Sequence, residues 1–103
     1  MVHLQDNNAN SGRVRRTVLY HALQEGVVTA ATLHTLTGLR PEYLRSAFHR
    51  TCCIGLMEPA PREVTPYVDR YVKGYRLTAK GIETAVLVDK SRVIFADAST
   101  EGH

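Results

Sequence analysis

Cysteine is nearly absent from this chain, and long apolar runs are missing altogether. The 2 cysteines among the 103 residues, Cys52 and Cys53, are adjacent. Because neighbouring cysteines rarely form a bridge without strain, a disulfide framework is excluded. No apolar run approaches the roughly 20 residues that a membrane-spanning helix needs. The polar start MVHLQDNNANSG also lacks the apolar core of a signal peptide. We therefore expect no membrane association and a reducing, cytoplasmic location.

The motifs that usually mark a catalytic centre are missing too. The chain has no glycine-rich phosphate loop, no nucleophile elbow and no His-Glu-x-x-His spacing. The histidines have no acidic partner at a spacing that would favour general acid or base catalysis. We therefore predict that the protein is not an enzyme and needs no cofactor or metal. The 5 histidines are His3, His21, His34, His49 and His103.

The length and composition indicate one ordinary globular domain. Hydrophobic residues make up 44% and charged residues 22% of the chain, so neither wholesale disorder nor a membrane class is indicated. The net charge of +3 lies entirely in residues 1–55, since the basic and acidic residues of 56–103 cancel. Most basic residues are arginine, which suits contacts with phosphates and guanine edges. A soluble arginine-rich surface is the alternative.

A first helix is predicted from Ser11 to Gly26. Residues 1–10 are polar and are expected to be a flexible lead, Ser11 is a plausible cap, and apolar residues then recur at helical spacing until Gly26. Three arginines crowd the first turn, where the helix dipole disfavours a positive charge by a few tenths to about 1 kcal/mol each. This placement favours an anionic partner, or else a solvated charged face. The arginines are Arg13, Arg15 and Arg16.

Two further helices are predicted on either side of a glycine turn, the layout of a DNA-reading helix-turn-helix. Thr29 can cap the second helix, Gly38 can close it, and Pro41 suits the first position of the third. A step of 100° per residue divides the third helix into two sides. The predicted core side is Tyr43, Leu44, Ala47, Phe48, Thr51 and Ile54. The opposite arc is Glu42, Arg45, Ser46, His49 and Cys53, with Arg50 at its border.

The third helix offers the side-chain types that contact base edges, and a wing is predicted after it. We expect base contacts from Glu42, Arg45, Ser46 and His49. Residues 56–60 and 72–77 can pair as strands, while Pro59, Pro61 and Pro66 keep the loop between them out of a ladder. The loop carries a modest positive excess that suits phosphate contact, although hairpin loops are often polar anyway. Its basic residues are Arg62, Arg70 and Lys73.

A fourth helix is predicted from Thr78, and its continuation is apolar on more than one face. One face can meet the core, and a second copy of the chain is the simplest cover for the rest. The β-branched residues of 86–94 leave a short strand open as an alternative to a continuous helix. Residues 97–103 are expected to be a loose tail. The residues expected to form the homodimer contact are Val86, Val93, Ile94 and Phe95.

These features together resemble the winged helix-turn-helix transcriptional regulators of bacteria and archaea, the group that includes the MarR, PadR, ArsR and HxlR types. The resemblance covers residues 11–96 and rests on LHTLTGLRPEYLRSAF, IGLM and GYRLTAKG in that order. It implies a mainly α fold with a small β-hairpin: a three-helix core, a wing and a C-terminal helix. Two departures are His34, where a small residue is usual, and Thr51, where a buried leucine is usual.

The resemblance implies contacts with double-stranded DNA. The helix over 41–54 would read the major groove, the wing over 59–73 would touch the flanking backbone, and a homodimeric repressor is the expected form. A protein-interaction adaptor and a replication, partition or recombination-control protein remain alternatives. The backbone contacts expected are Arg13, Arg15, Arg16, Thr29, Arg40, Arg50, Arg62, Arg70 and Lys73.

A sensing role for the two cysteines is a further hypothesis. Cys52 and Cys53, with His49 one turn earlier, offer ligands for a soft metal or a site of oxidation. Steps of 100° point the two cysteines in different directions, so one ion could not bind both without distortion. Ordinary half-buried cysteines are the commoner case.

Overall fold

The structure is a computed structural model, and it describes residues 2–61 and 73–96, with side chains from Gly12 onward. The described elements are helices and short strands, and the strands form a small sheet beside a helical core. In chain order they are α1 (Val2–Glu25), β1 (Val27–Val28), α2 (Ala30–Thr37), α3 (Pro41–Cys53), β2 (Met57–Pro59), β3 (Tyr75–Leu77), α4 (Ala79–Ala85) and a 3₁₀ helix (Lys90–Arg92).

Helix α1 is longer at its amino end than the sequence indicated. It begins at Val2, so the predicted start with a cap at Ser11 is wrong. Its end is as predicted, because Gly26 follows the helix with φ 87° and donates its N–H to the Ala22 carbonyl at 2.9 Å. A positive φ favours glycine, which has no Cβ to clash. The division of the chain into a lead, a domain over 11–96 and a tail stays a prediction.

The sheet is three-stranded and antiparallel, in the order β1-β3-β2. Strand β3 pairs with both neighbours, and Tyr75 faces Val28 on one side and Pro59 on the other. Pro59 is therefore the last residue of a ladder strand, which agrees with the predicted strand over 56–60 and not with its assignment to the irregular loop. It lies in an edge strand, where a missing N–H is tolerated. Glu58 and Arg76, which are also paired in register, form an exposed ion pair at 2.9 Å.

The core lies where α1, α2, α3 and the sheet meet. α1 supplies one turn-spaced row of buried residues, which pack against the apolar side of α3. Two helices that bury such stripes against each other exclude water from both. The largest fully buried side chains are those of Val18, Val28, Leu33, Leu44 and Phe48, together with the threonines Thr17, Thr29 and Thr51.

The chain after α4 does not continue as a helix. α4 ends at Ala85, and a turn, the 3₁₀ helix and an extended stretch over 93–96 follow. The extended stretch, which we call the C-terminal strap, is hydrogen-bonded to two helices. The Ile94 N–H donates to Thr17 Oγ1 at 2.9 Å, His21 Nε2 lies 3.1 Å from the Ile94 carbonyl oxygen, and the Ala96 N–H donates to the Leu36 carbonyl at 2.7 Å.

Candidate nucleic-acid interface

Hydrogen bonds from threonine side chains fix the start of α2 and the turn between α2 and α3. Thr29 caps α2, since its Oγ1 accepts from the Thr32 N–H at 3.0 Å. Gly38 follows α2 with φ 78°, and the Leu39 N–H donates to Thr37 Oγ1 at 3.1 Å. His34 does not separate the helices: its ring is exposed, and Nδ1 lies 2.7 Å from the Leu39 carbonyl oxygen. His34, where the resemblance favoured a small residue, thus adds a contact across the turn.

Helix α3 has a buried side and an exposed side. Leu44, Ala47, Phe48 and Thr51 are buried, and Thr51 Oγ1 donates to the Ala47 carbonyl. A buried threonine thus satisfies its hydroxyl within its own helix where the resemblance favoured a leucine. Two residues predicted on the core side are exposed: Tyr43, at 56%, and Ile54, at 46%, which follows the end of the helix. The exposed residues of α3 are Glu42, Tyr43, Arg45, Ser46, His49, Arg50 and Cys53.

All four predicted base-contacting residues lie on the exposed side of α3. Glu42, Arg45, Ser46 and His49 follow one another at spacings of three, one and three residues, so their side chains share one arc of the helix. Tyr43, next to this arc, was predicted on the core side, because a tyrosine at a border position fits either side. Its exposed fraction is the property that assigns it to the outer surface. The arrangement offers hydrogen-bond donors, acceptors and an aromatic ring on one convex surface.

The residues predicted to contact the DNA backbone fall into different environments. Arg40, at the amino end of α3, and Lys73, before β3, are exposed. Thr29 is 1% exposed and its hydroxyl is engaged in the α2 cap, so the side chain offers no surface to a phosphate. The buried position follows from its capping role, and only the backbone near it is available. Arg62 and Arg70 lie outside the described residues.

The three arginines of α1 lie at another part of the surface. Arg13 and Arg15 are exposed, and Arg16 is half-buried. Arg15 and Arg16 line an open groove together with Ile54, which follows the carboxyl end of α3. The structure therefore brings two of these arginines close to the end of α3 that is farther from Pro41. No acidic side chain forms an ion pair with them in the described part of the chain.

The residues predicted for dimerisation divide between core and surface. Val93 is buried at 5% exposure within its own chain, so its side chain is not available to a partner. The strap places it there, because its backbone bonds hold the segment against α1. Val86 is 60% exposed and Phe95 45% exposed, while Ile94 is half-buried. Phe95 packs edge-on against Tyr20 and His21, with ring centroids 5.7 and 5.2 Å apart.

The two cysteines have different surroundings. Cys53 is exposed, and its Sγ lies 3.7 Å from His49 Nε2. Cys52 is half-buried, and burial raises the pKa of its thiol, with smaller contributions from Cys53 and Glu58. Across the same junction, Tyr75 stacks on Phe48 with centroids 4.5 Å apart, and burial followed by Cys52 raises the pKa of Tyr75. Among the described residues, no three His, Cys, Asp or Glu side chains converge as metal ligands.

The helix-turn-helix, the flanking antiparallel strands and the exposed outer side of α3 define a winged helix-turn-helix fold, as predicted. None of the helices in 2–61 or 73–96 is both long and apolar enough to cross a membrane. No protein-family model matches this sequence. No curated protein matches it either.

Several solved structures of transcriptional regulators share this fold. A double-mutant apo form of ZitR from Lactococcus lactis superposes with a TM-score of 0.62 at 15% identity, covering 82% of this chain and 60% of ZitR. BpsR from Bordetella bronchiseptica gives a TM-score of 0.56 at 17% identity, covering 89% and 76%. Wild-type apo MarR from E. coli gives 0.53 at 17% identity, covering 89% and 79%. The chain thus spans 60% of the length of the ZitR structure.

Proposed function

We propose that this protein is a sequence-specific DNA-binding transcriptional regulator that inserts α3 into the major groove. The observation that carries the proposal is the two-sided character of α3. Leu44 and Phe48 anchor its inner side in the core, while Arg45, Ser46 and His49 are exposed on its outer side. A rigidly seated helix with an exposed polar side fits the roughly 12 Å width of the major groove.

The roles within this interface follow from side-chain chemistry. Arg45 can donate two hydrogen bonds to guanine O6 and N7, while Ser46 and His49 are suited to single donor or acceptor contacts. Tyr43, exposed beside them, offers a ring for a thymine methyl group and a hydroxyl for a phosphate. Arg40, Arg50 and Lys73 would contribute phosphate contacts, as would the wing. The neighbours that share the fold are transcriptional regulators, which supports the assignment.

The first experiment is selection of bound fragments from random double-stranded DNA, followed by a titration of the winning sequence in increasing salt. A DNA complex loses affinity steeply with salt because neutralised phosphates release counterions. Enrichment of one motif and a steep slope are expected. If no sequence is enriched, the winged helix acts as an adaptor for protein partners. If the selected motif occurs at a replication or recombination locus, the protein binds DNA as proposed but has a role other than transcriptional regulation.

Replacement of Arg45 by alanine tests the reading helix directly. Arg45→Ala is expected to cost about 1 to 3 kcal/mol on the selected site and to relax the preference at one base pair. The matched control is Lys90→Ala, which removes one exposed positive charge from the 3₁₀ helix, an element separate from α3. Binding is compared by fluorescence anisotropy on the selected site and on single-base variants. Equal weakening by Arg45→Ala on every sequence would reassign the residue to a phosphate contact.

A homodimeric repressor in the cytoplasm is the form that we propose for the intact protein. Val86 and Phe95 are exposed apolar side chains close to the carboxyl end of the described chain, and such residues commonly meet their own copy across a twofold axis. Two copies would then read half-sites about 34 Å apart, or a multiple of it, on a near-palindromic site. Sedimentation with and without the selected DNA measures the stoichiometry, and one chain per site would contradict the dimer.

A further inference from the structure

An open groove of about 700 Å³ lies between the carboxyl half of α1, the chain after α3 and the region of α4. It is distinct from the exposed arc of α3 that carries Arg45 and Ser46, neither of which lines it. Its lining combines two kinds of side chain that rarely remain side by side without a partner. One kind is basic and the other is apolar.

The basic side chains outnumber the acidic ones by four to two. One charge interaction joins the two kinds: hydrogen bonds from Ser91 and, to a smaller extent, the charge of Arg92 lower the pKa of Asp89. The four cations of the groove are Arg15, Arg16, Lys80 and Arg92. The acidic side chains that line it are Glu83 and Asp89, and the Asp89 carboxylate accepts a hydrogen bond from the Ser91 N–H at 2.9 Å. Within the described residues, no carboxylate lies within ion-pair distance of any of the four cations.

Arg16 adds a more specific indication. Its Nε atom is buried and has no hydrogen-bond partner in the described structure. A buried donor without an acceptor costs about 1 to 3 kcal/mol, more when the group is charged. An acceptor supplied by a bound molecule would remove this penalty. A carboxylate is the strongest such acceptor for a guanidinium, because both oxygens can accept.

The apolar part of the groove is wide open to solvent. Leu87 is 83% exposed and Ile54 is 46% exposed, and both line the groove above the buried Leu19 and Leu56. A small-molecule site usually encloses 70–90% of its ligand, roughly speaking, and so shields its own apolar walls. Walls as exposed as these suit an elongated occupant that lies along the groove. An amphipathic helix, which presents an apolar stripe beside charged residues, is such an occupant.

Other occupants fit the two kinds of lining less well. DNA phosphates would satisfy the cations but would leave Ile54 and Leu87 without an apolar partner. A second copy of the chain is disfavoured by charge, because no described helix carries more acidic than basic residues. We propose that the groove docks an acidic amphipathic helix of a partner protein, with the apolar stripe of that helix on Leu87 and Ile54 and its carboxylates on Arg15, Arg16, Lys80 and Arg92. This docking goes beyond DNA binding and does not depend on it.

The test uses the full chain and a labelled synthetic peptide, with no DNA present. The peptide has about 18 residues, which is about five helical turns, with leucine at the i, i+3, i+4, i+7 positions and glutamate between them. A scrambled peptide of the same composition and a peptide with lysine in place of glutamate are the controls. Anisotropy at physiological salt should show saturable binding of the acidic amphipathic peptide alone, with a gain of helical circular dichroism on binding.

Two pairs of variants locate the binding in the groove. Leu87→Glu should weaken binding about tenfold or more, equivalent to about 1.4 kcal/mol. Ile82→Glu introduces the same charge on α4 at a position that is 46% exposed but does not line the groove, and should change affinity little. Arg15→Glu should weaken binding to a similar extent, and Arg13→Glu, outside the groove, much less. Circular dichroism and thermal unfolding check that each variant is folded.

Several results would overturn the proposal. These are the absence of binding, equal binding of the scrambled or lysine peptide, and equal effects of Leu87→Glu and Ile82→Glu. Decanoate is titrated in parallel as a small anionic amphiphile, and stabilisation by decanoate without peptide binding would assign the groove to a small ligand. If sedimentation shows that Leu87→Glu dissociates a dimer while the peptide fails to bind, the groove is an interface between copies.

Discussion

Cys52 and Tyr75 lie where α3 meets the sheet, and the pKa values of both side chains are raised there. Both are partly buried, Tyr75 stacks on Phe48, and burial is the largest cause of their raised pKa values. Burial disfavours the charged form of either group, and a negative charge on Cys52 further raises the pKa of Tyr75. Both side chains therefore keep their protons to a higher pH in the folded chain than in the unfolded chain.

The expected result is a loss of stability at alkaline pH. The ordinary pKa values are 9.0 for Cys52 and 10.0 for Tyr75, and both are higher in the folded chain. Above 9.0 the unfolded chain loses its Cys52 proton first, so the folded chain holds more protons and its free energy of unfolding falls as pH rises. This contribution is complete below the ordinary values and is lost as pH rises through the folded ones.

Urea unfolding on either side of these pKa values measures the effect. Cys52→Ser removes one titrating group and should flatten the alkaline decline. Cys53→Ser, at the exposed neighbour, should flatten it less, because Cys53 makes only a smaller contribution to the raised pKa of Cys52. An alkaline decline that is unchanged in Cys52→Ser would assign the loss of stability to other groups.

At the residue scale, helical spacing predicted the exposed residues of α3 better than it predicted the buried ones. Glu42, Arg45, Ser46 and His49 are on the exposed side because helical spacing alone separates them from Leu44 and Phe48. Tyr43 could not be assigned in this way, since it lies at the border between the two sides. Thr29 was predicted both as a cap and as a phosphate contact, and the cap is what the structure contains.

At the scale of elements, the helix-turn-helix was predictable because its signals are local. Gly38 at the end of α2 and Pro41 at the start of α3 act within one or two residues. The end of α4 was not predictable, because the strap that replaces a longer helix is held by Thr17 and His21, far away in the sequence. Strand β1 was missed because two valines after Gly26 carry no pattern of their own.

The contact between α4 and Leu56, the residue before β2, permits only glycine at position 81. A Cβ built on Gly81 would lie 1.8 Å from the Leu56 carbonyl oxygen and 2.8 Å from its carbon. The Leu56 oxygen also accepts the Thr78 N–H at 3.0 Å, so the backbone there is held on both sides. The carboxyl end of α3 and the start of α4 are thereby kept at a fixed separation.

Gly81→Ala is expected to destabilise the domain by about 1 to 3 kcal/mol, because overpacking displaces the backbone. Gly12→Ala is the matched control: it also lies in a helix, and among the described side chains its Cβ would meet Arg16 Nη1 alone, at 3.6 Å. The control should be neutral or stabilising by up to about 1 kcal/mol. Denaturant unfolding compares the two, and similar midpoints for both variants would contradict the close contact at Gly81.

At the scale of the whole molecule, the C-terminal strap joins α1 and α2 through three hydrogen bonds. Thr17 is central to this arrangement, since it is fully buried, donates to the Arg13 carbonyl at 2.7 Å and accepts from the Ile94 N–H. The strap thus helps to hold α2, the helix that precedes α3, in position.

Thr17→Val keeps the volume of the side chain but removes the acceptor for Ile94. A loss of about 1 to 3 kcal/mol is expected, because a partly buried N–H is left without a partner. Thr35→Val is the control, since Thr35 is exposed and makes only the comparable bond to Ala31 within α2. Hydrogen exchange at Ile94 and Ala96 should accelerate in Thr17→Val alone, and unchanged exchange would show that the strap is held by other contacts.

The position of β3 in the middle of the sheet has a consequence for how the molecule is made. Val28 is bonded to a strand whose partner residue, Tyr75, is synthesised long afterwards. When α1, α2 and α3 have been synthesised, the edge of β1 that pairs with β3 therefore stays unpaired until the ribosome has added β3. Closing so long a loop costs entropy that only the complete core offsets. The domain therefore completes its folding only after β3 has been synthesised. A chain truncated before Tyr75 would be a substrate for proteases.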